Sequence, residues 1–182
     1  MEWLLEMEGG ILLWIQEVLR ADWLTPLARA VTFLGNGGWF WIAAALILCC
    51  WRRTRRAGVT ALIALLMSLV VNNLLLKNLV ARTRPYELID SLTILIAAPH
   101  DFSFPSGHAG ASFAAACAMY PNLPRRWGVC FVLLAALIAL SRLYLGVHFP
   151  SDVLAGALIG AALGAAANGC VRHLPEKWRK VL

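Results

Sequence analysis

The residues best able to do chemistry in this chain fall in three short stretches, and the last is the most informative. Ser141-Arg142-Leu143-Tyr144-Leu145-Gly146-Val147-His148-Phe149-Pro150-Ser151-Asp152 sits between two long apolar runs and spaces an arginine, a histidine and an aspartate by six and four positions. Pro150 cannot continue a helix and biases Phe149 away from helical dihedrals. The incoming helix is therefore expected to end by about His148, with Ser151 or Asp152 capping the outgoing one. Arg142 then lies on a last turn, His148 in the elbow and Asp152 on a first turn, where three side chains can converge. A histidine held through one ring nitrogen by a carboxylate keeps a fixed tautomer and a more nucleophilic second nitrogen. An arginine beside it offers a planar fork to phosphate oxygens. A polar loop at a membrane surface is the plainer reading of such a stretch, and the rest of the chain weighs against it.

The other two stretches are Lys77-Asn78-Leu79-Val80-Ala81-Arg82-Thr83-Arg84-Pro85 and Pro105-Ser106-Gly107-His108. Lys77 is expected to snorkel outward from its helix and Arg84 to be fixed by the proline after it; with Arg142 they put three cations around one position. Gly107 allows close approach of a backbone amide, and Ser106 opens a helix whose free N–H groups and dipole attract an anion. Two histidines around a bound phosphate suggest a division of labour. His148, oriented by Asp152, attacks phosphorus and forms a phosphohistidine; His108 protonates the leaving oxygen and afterwards activates water. Lys77, Arg84, Arg142, Ser106 and Gly107 bind the phosphate and stabilise its equatorial oxygens, a role magnesium often plays elsewhere. The sequence offers no carboxylate cluster suited to magnesium, so hydrolysis without metal or cofactor is expected. A membrane protein that binds or moves lipid phosphates without turnover is the rival reading, but binding alone requires neither both histidines nor Asp152.

The elements that must position these residues are apolar helices. With 60% hydrophobic and 14% charged residues the chain is far more apolar than a soluble domain, and a net charge of +6 is the only hint of a nucleic-acid partner. Runs of about residues 27–51, 57–80, 106–119, 125–146 and 152–171 predict an all-α bundle of about five transmembrane spans in one domain, residues 1–182. Gly35-Asn36-Gly37-Gly38 should bend the first run. Residues 1–20 are too polar to span comfortably and read as an interfacial helix, with a sixth span as the alternative. Met1-Glu2-Trp3 precedes the first apolar stretch without a basic region, so no cleaved signal peptide is expected. Gly156, Gly160 and Gly164 form a small-residue stripe for close helix packing. Cys49, Cys50, Cys117, Cys130 and Cys170 fall within apolar runs and read as packing residues. Trp3, Trp23, Trp51, Trp127 and Trp178 stand near the ends of spans, as interfacial anchors do.

Charge placement answers the question raised by the net charge. Arg52, Arg53, Arg55, Arg56, Arg125, Arg126, Arg172, Lys177, Arg179 and Lys180, ten of the sixteen Lys and Arg residues, fall on one side. By the positive-inside rule that side is cytoplasmic, so the three stretches face away from the cytoplasm of a cell membrane, and no nucleic-acid partner is expected.

Together the stretches resemble the three signature motifs of the type 2 phosphatidic acid phosphatase superfamily of membrane lipid phosphatases. Lys, six residues, then Arg-Pro is met by Lys77, Arg84 and Pro85; Pro-Ser-Gly-His by residues 105–108; Ser-Arg, five residues, His, three residues, Asp by Ser141, Arg142, His148 and Asp152. The resemblance covers about residues 57–165, the expected catalytic core. It implies a helical bundle and a phosphohistidine mechanism with the matched residues in the roles given above. Soluble acid phosphatases and vanadium haloperoxidases carry the same motifs, and the continuous apolar spans argue against both. Undecaprenyl diphosphate, cleaved to undecaprenyl phosphate, is the first substrate the resemblance suggests, followed by phosphatidylglycerophosphate or phosphatidate and lipid A. Asn72, Asn73, Tyr86, Glu87 and Tyr144 are candidates for the entrance, though each is more often a packing or interfacial residue. Arg82 reads as a second phosphate contact or a solvated charge. His100 and His173 match no motif and are assigned to a loop and to a basic cytoplasmic tail.

Overall fold

The computed structural model describes residues 2–176, so the tail charges Lys177, Arg179 and Lys180, the anchor Trp178 and Met1 lie outside the described residues. The described residues form helices and loops, with no strand among them. In chain order the helices are α1 (Glu2–Trp14), α2 (Leu24–Gly35), α3 (Trp39–Cys49), α4 (Arg55–Ser68), α5 (Lys77–Val80), α6 (Pro85–Leu88), α7 (Gly107–Met119), α8 (Arg125–Tyr144) and α9 (Pro150–Arg172). Two of the joints are wide π turns, Ile15–Leu19 after α1 and Leu69–Leu76 between α4 and α5. Between α2 and α3 the chain bends as the glycine cluster predicts: Gly37 and Gly38 have φ of 57° and 69°, a conformation open to glycine and costly for other residues.

Among the described residues, four helical segments are long and apolar enough to cross a membrane: Leu24–Cys49, Arg55–Leu88, Arg125–Tyr144 and Pro150–Arg172. α7, the remaining helix of the expected five, has 13 residues and is not among these four, being shorter than the ~20 usual for a crossing. It is the centre of the bundle. Its Ala109, Ala114, Ala115, Ala116 and Ala118 are fully buried, and it packs against α4, α8 and α9. α7 and α9 run parallel in step. A Cβ on Gly156 would lie 2.6 Å from the Ser106 carbonyl oxygen, one on Gly160 would strike that of Gly110, and one on Gly164 would lie 2.7 Å from that of Ala114. One turn further on, Asn168 donates to the Ala118 carbonyl at 3.2 Å. The glycine stripe therefore holds two helices of the same chain together.

One expectation about side chains changes. Of the five cysteines only Cys49 and Cys117 are half-buried; Cys50, Cys130 and Cys170 are exposed on the outside of the bundle, where an apolar environment suits a thiol without tight packing. α1 and the turn after it pack on the bundle, with Leu12, Glu8 and Ile15 buried against the end where α8 and α9 meet.

That end collects the last turn of α5, the first turns of α7 and α9 and the last turn of α8. The loop of residues 89–104 lies over it, tied down by Ser103 N–H to the Arg82 carbonyl at 2.8 Å and Leu95 N–H to the Leu145 carbonyl at 3.3 Å.

Candidate active site

α8 ends at Tyr144 and Gly146, at φ 77°, makes the turn. A Cβ there would stand 2.9 Å from Arg20 and from the Thr93 carbonyl, so both conformation and space call for glycine. Phe149, rather than Ser151 or Asp152, occupies the cap position of α9, because Pro150 takes the first helical position. Asp152 is on the first turn and accepts the Phe149 N–H at 2.8 Å. Bonded back in this way, its carboxylate points into the elbow. It also accepts the Ser103 hydroxyl at 2.5 Å and faces Nδ1 of His148 at 3.7 Å. Ser103 Oγ stands 3.5 Å from the same ring nitrogen. Nε2 is left toward Arg84, 3.5 Å from its Nη1. Burial drives the His148 imidazole down to about 4, against the upward pull of Asp152.

Six of the eight expected site residues, Lys77, Arg84, Gly107, His108, Arg142 and His148, line one cavity of about 870 Å³. Asp152 sits behind His148. Ser106 is fully buried, caps α7 by accepting the Ala109 N–H at 3.5 Å, and ties α7 to α9 through its own N–H to the Asp152 carbonyl at 3.0 Å. Arg84 is locked in place by bonds to the Val147 carbonyl at 2.6 Å and the Asp101 carbonyl at 2.7 Å. Arg142, only 3% exposed, donates to Thr32 Oγ1 at 2.8 Å, while its Nε is buried without a partner among the described residues. A buried, unpaired guanidinium N–H on a cavity wall calls for an acceptor that the described residues do not supply. Lys77 does not snorkel. It is 7% exposed and turned inward to the carboxylate of Asp101. The wide turns before it carry Asn72, fully buried and donating to Ser68 Oγ at 3.0 Å, and Asn73, which lines the cavity.

Several residues at the site carried no sequence signal strong enough to pick them out. Asn36, at the break between α2 and α3, lies 2.9 Å from Nε2 of His108 through its Oδ1. Thr32 holds Arg142 from the same helix. Asp101, in the covering loop, pairs with Lys77 and with Arg84 Nη2 at 2.6 Å, so its carboxylate occupies the ground between two of the three expected phosphate-binding cations. Burial alone would raise this carboxyl; the bonds from Lys77 and Arg84 outweigh it and bring it down to about 2. Of the other entrance candidates, Tyr144 packs against α2, its hydroxyl 3.0 Å from Thr25 Oγ1, and Tyr86 and Glu87 border a separate cavity of about 370 Å³. Arg82 is not a free solvated charge, and it borders the smaller cavity rather than the main one. It pairs with Glu8 and Asp152, each at 2.6 Å.

The arrangement can bind an anion between three cations and a helix start, with an unprotonated imidazole nitrogen on one side and a second imidazole on another. Away from the charges the cavity continues along an apolar wall that includes Phe33, Ile42, Leu62, Leu66 and Leu69. The chain is 30% identical over 147 residues to the undecaprenyl-diphosphatase of Sulfolobus acidocaldarius, covering 80% of this chain and 71% of that protein. Its fold is similar to the crystal structure of the transmembrane PAP2-type phosphatidylglycerolphosphate phosphatase of Bacillus subtilis, with TM-score 0.75, 26% identity, and 94% and 87% of the two chains covered. It is also similar to that of LpxE from Aquifex aeolicus, with TM-score 0.78, 27% identity, and 87% and 92% covered. Residues 57–175 match the sequence profile of the PAP2 superfamily, and with a helical bundle of several apolar spans around its three motifs, this multi-pass membrane chain belongs to that superfamily.

Proposed function

We propose that this protein hydrolyses a lipid diphosphate or monophosphate through a phosphohistidine on His148, and that its substrate is undecaprenyl diphosphate, released as undecaprenyl phosphate and inorganic phosphate. The observation that carries the chemistry is the setting of His148, 1% exposed, with Nδ1 toward Asp152 and Nε2 toward the cavity beside Arg84. Nε2 attacks the terminal phosphorus; an N–P bond forms as the bond to the bridging oxygen breaks. His108 gives a proton to that oxygen as it leaves. His108 then takes a proton from a water whose oxygen attacks phosphorus, the N–P bond breaks, its electron pair returns to His148, and phosphate departs. Lys77, Arg84 and Arg142 with the first-turn amides of α7 hold the equatorial oxygens, and the charge they supply makes a metal unnecessary. Ser106 and Gly107 give the helix start its shape.

The lipid identity rests on the similarity to the undecaprenyl-diphosphatase and on the apolar continuation of the cavity, which suits a long hydrocarbon chain. α7 runs in step with α9 and is read as a fifth crossing. The site end lies opposite Arg52, Arg53, Arg125, Arg126 and Arg172, so the positive-inside rule has it facing away from the cytoplasm. Phosphate release from undecaprenyl diphosphate, phosphatidylglycerophosphate, phosphatidate and lipid A, measured in detergent with and without chelator, tests the reading. Undecaprenyl diphosphate should be the fastest, chelator should change nothing, and His148→Ala should be inactive. A faster rate on any other lipid overturns the substrate; wild-type turnover by His148→Ala overturns the nucleophile.

A further inference from the structure

Glu8 is a carboxylate in a helix that lies outside the residues matched to the family profile, yet it is 1% exposed. Burying an ionised carboxylate is costly unless it is paired and hydrogen-bonded. Both of its oxygens are used. One accepts the Ser151 N–H at 2.6 Å and the other accepts Arg82 Nη2 at 2.6 Å. Arg82 in turn donates through Nη1 to Ser151 Oγ at 2.7 Å and to Asp152 Oδ1 at 2.6 Å, with its guanidinium 4.1 Å above the Phe149 ring. A continuous run of charge-assisted bonds thus leads from α1 to the carboxylate behind His148.

The charges explain why such a run is useful. Arg82 alone would cancel the negative charge of Asp152 just where a positive charge must be stabilised, since forming an N–P bond makes the imidazole ring cationic. Glu8 neutralises Arg82 and leaves the trio of Glu8, Arg82 and Asp152 with one net negative charge facing Nδ1. The other charged or titratable groups facing His148 are Arg84, Arg142 and, across the cavity, His108, with Asp101 beyond Arg84. Resting on the reading of His148 as nucleophile, we propose that Glu8 is a positioning residue for the reaction: through Arg82 it orients Asp152 and preserves the negative charge that supports His148.

The test compares Glu8→Gln with Glu8→Gln/Arg82→Gln on undecaprenyl diphosphate, taking kcat, KM and the acid limb of the pH profile. Glu8→Gln removes one negative charge and should lower kcat about tenfold with KM within about twofold, a loss typical of one charge-assisted bond. Its acid limb should move to lower pH, because a less negative surrounding makes the imidazole harder to protonate. The double variant restores one net negative charge behind His148, so kcat should recover most of its loss and the limb should return. An unchanged kcat and profile in Glu8→Gln, or a double variant slower than Glu8→Gln, overturns the proposal, since a purely structural bond would be worsened by the second change. If Glu8→Gln does not fold, the double variant carries the test alone: a limb at the wild-type position with most of kcat supports the proposal, and a displaced limb overturns it. Failure of the nucleophile assignment is separately visible, as turnover by His148→Ala.

Discussion

Asp101 carries the most quantitative prediction. Its carboxylate pairs with Lys77 and Arg84, two cations that a phosphate would need, so substrate and product must displace it. A carboxyl held at about 2 rather than 3.8 is favoured in its ionised form by about 2.5 kcal/mol. Its side chain is 55% exposed, and discounting by about half for solvent screening leaves about 1 kcal/mol, or about fivefold in affinity. Asp101→Asn keeps the size and a hydrogen-bonding oxygen but gives up that charge. It should therefore lower the inhibition constant for inorganic phosphate about fivefold. With its pKa at about 2 the native carboxylate stays charged from pH 4 to 9, so the gain should be constant over that range. The assay is phosphate inhibition of lipid turnover at several pH values, with melting temperature as the folding control. An inhibition constant that stays the same or rises in a folded Asp101→Asn would refute competition between Asp101 and phosphate.

The remaining predictions concern His148, His108 and the bundle. A nucleophile must be unprotonated, and burial sets His148 at about 4, so the acid limb of kcat/KM should lie near pH 4, with a separate alkaline limb where His108 loses the proton it gives to the leaving oxygen; an acid limb near 6.5 in the wild-type protein would contradict this. Asn36→Ala removes the 2.9 Å partner of His108 and should lower kcat about fivefold with little change in KM, as one hydrogen bond is worth about 1 kcal/mol; an unaltered kcat would show that Asn36 does not orient the ring. Gly160→Val drives a side chain into the Gly110 carbonyl and should cost about 3 kcal/mol, lowering the melting temperature by about 6–12 °C, whereas Gly169→Ala, with open space around it, should be neutral or slightly stabilising. Equal melting temperatures for the two variants would argue against the tight α7–α9 seam.

Much of the site was legible because its chemistry is encoded locally. Lys77 and Arg84, Ser106 to His108, and Arg142 to Asp152 each sit within one helix end, where spacing decides which side chains can converge. The elbow at Pro150 and the bend at Gly37 and Gly38 follow from backbone sterics that sequence displays openly. Glu8, Asn36, Asp101 and Ser103 were not legible, since each is a single polar residue whose partner comes from a distant element. Asn36 offered one usable signal, a hydrogen-bonding side chain at a glycine break within an apolar helix. The ion pairs of Arg82 were hidden for a related reason: a cation two residues from Arg84 suggests the same ligand, but Ala81, at φ 48°, ends the helix and Arg82 turns toward α1 and α9. The crossing count also depends on something a sequence pattern hides, because α7 is short and small enough to be enclosed by its neighbours.

A phosphorylated intermediate on His148 is what the arrangement of elbow, cations and paired imidazoles is proposed to serve. Rapid acid-free quenching of wild-type and His108→Ala protein during turnover of terminally labelled lipid diphosphate, followed by peptide mapping, would locate the phosphoryl group. It should appear on His148, labile to acid and stable to base, and persist longer in His108→Ala, where water activation is impaired. Label on another side chain, or steady turnover with no phosphoprotein in either protein, would contradict the mechanism.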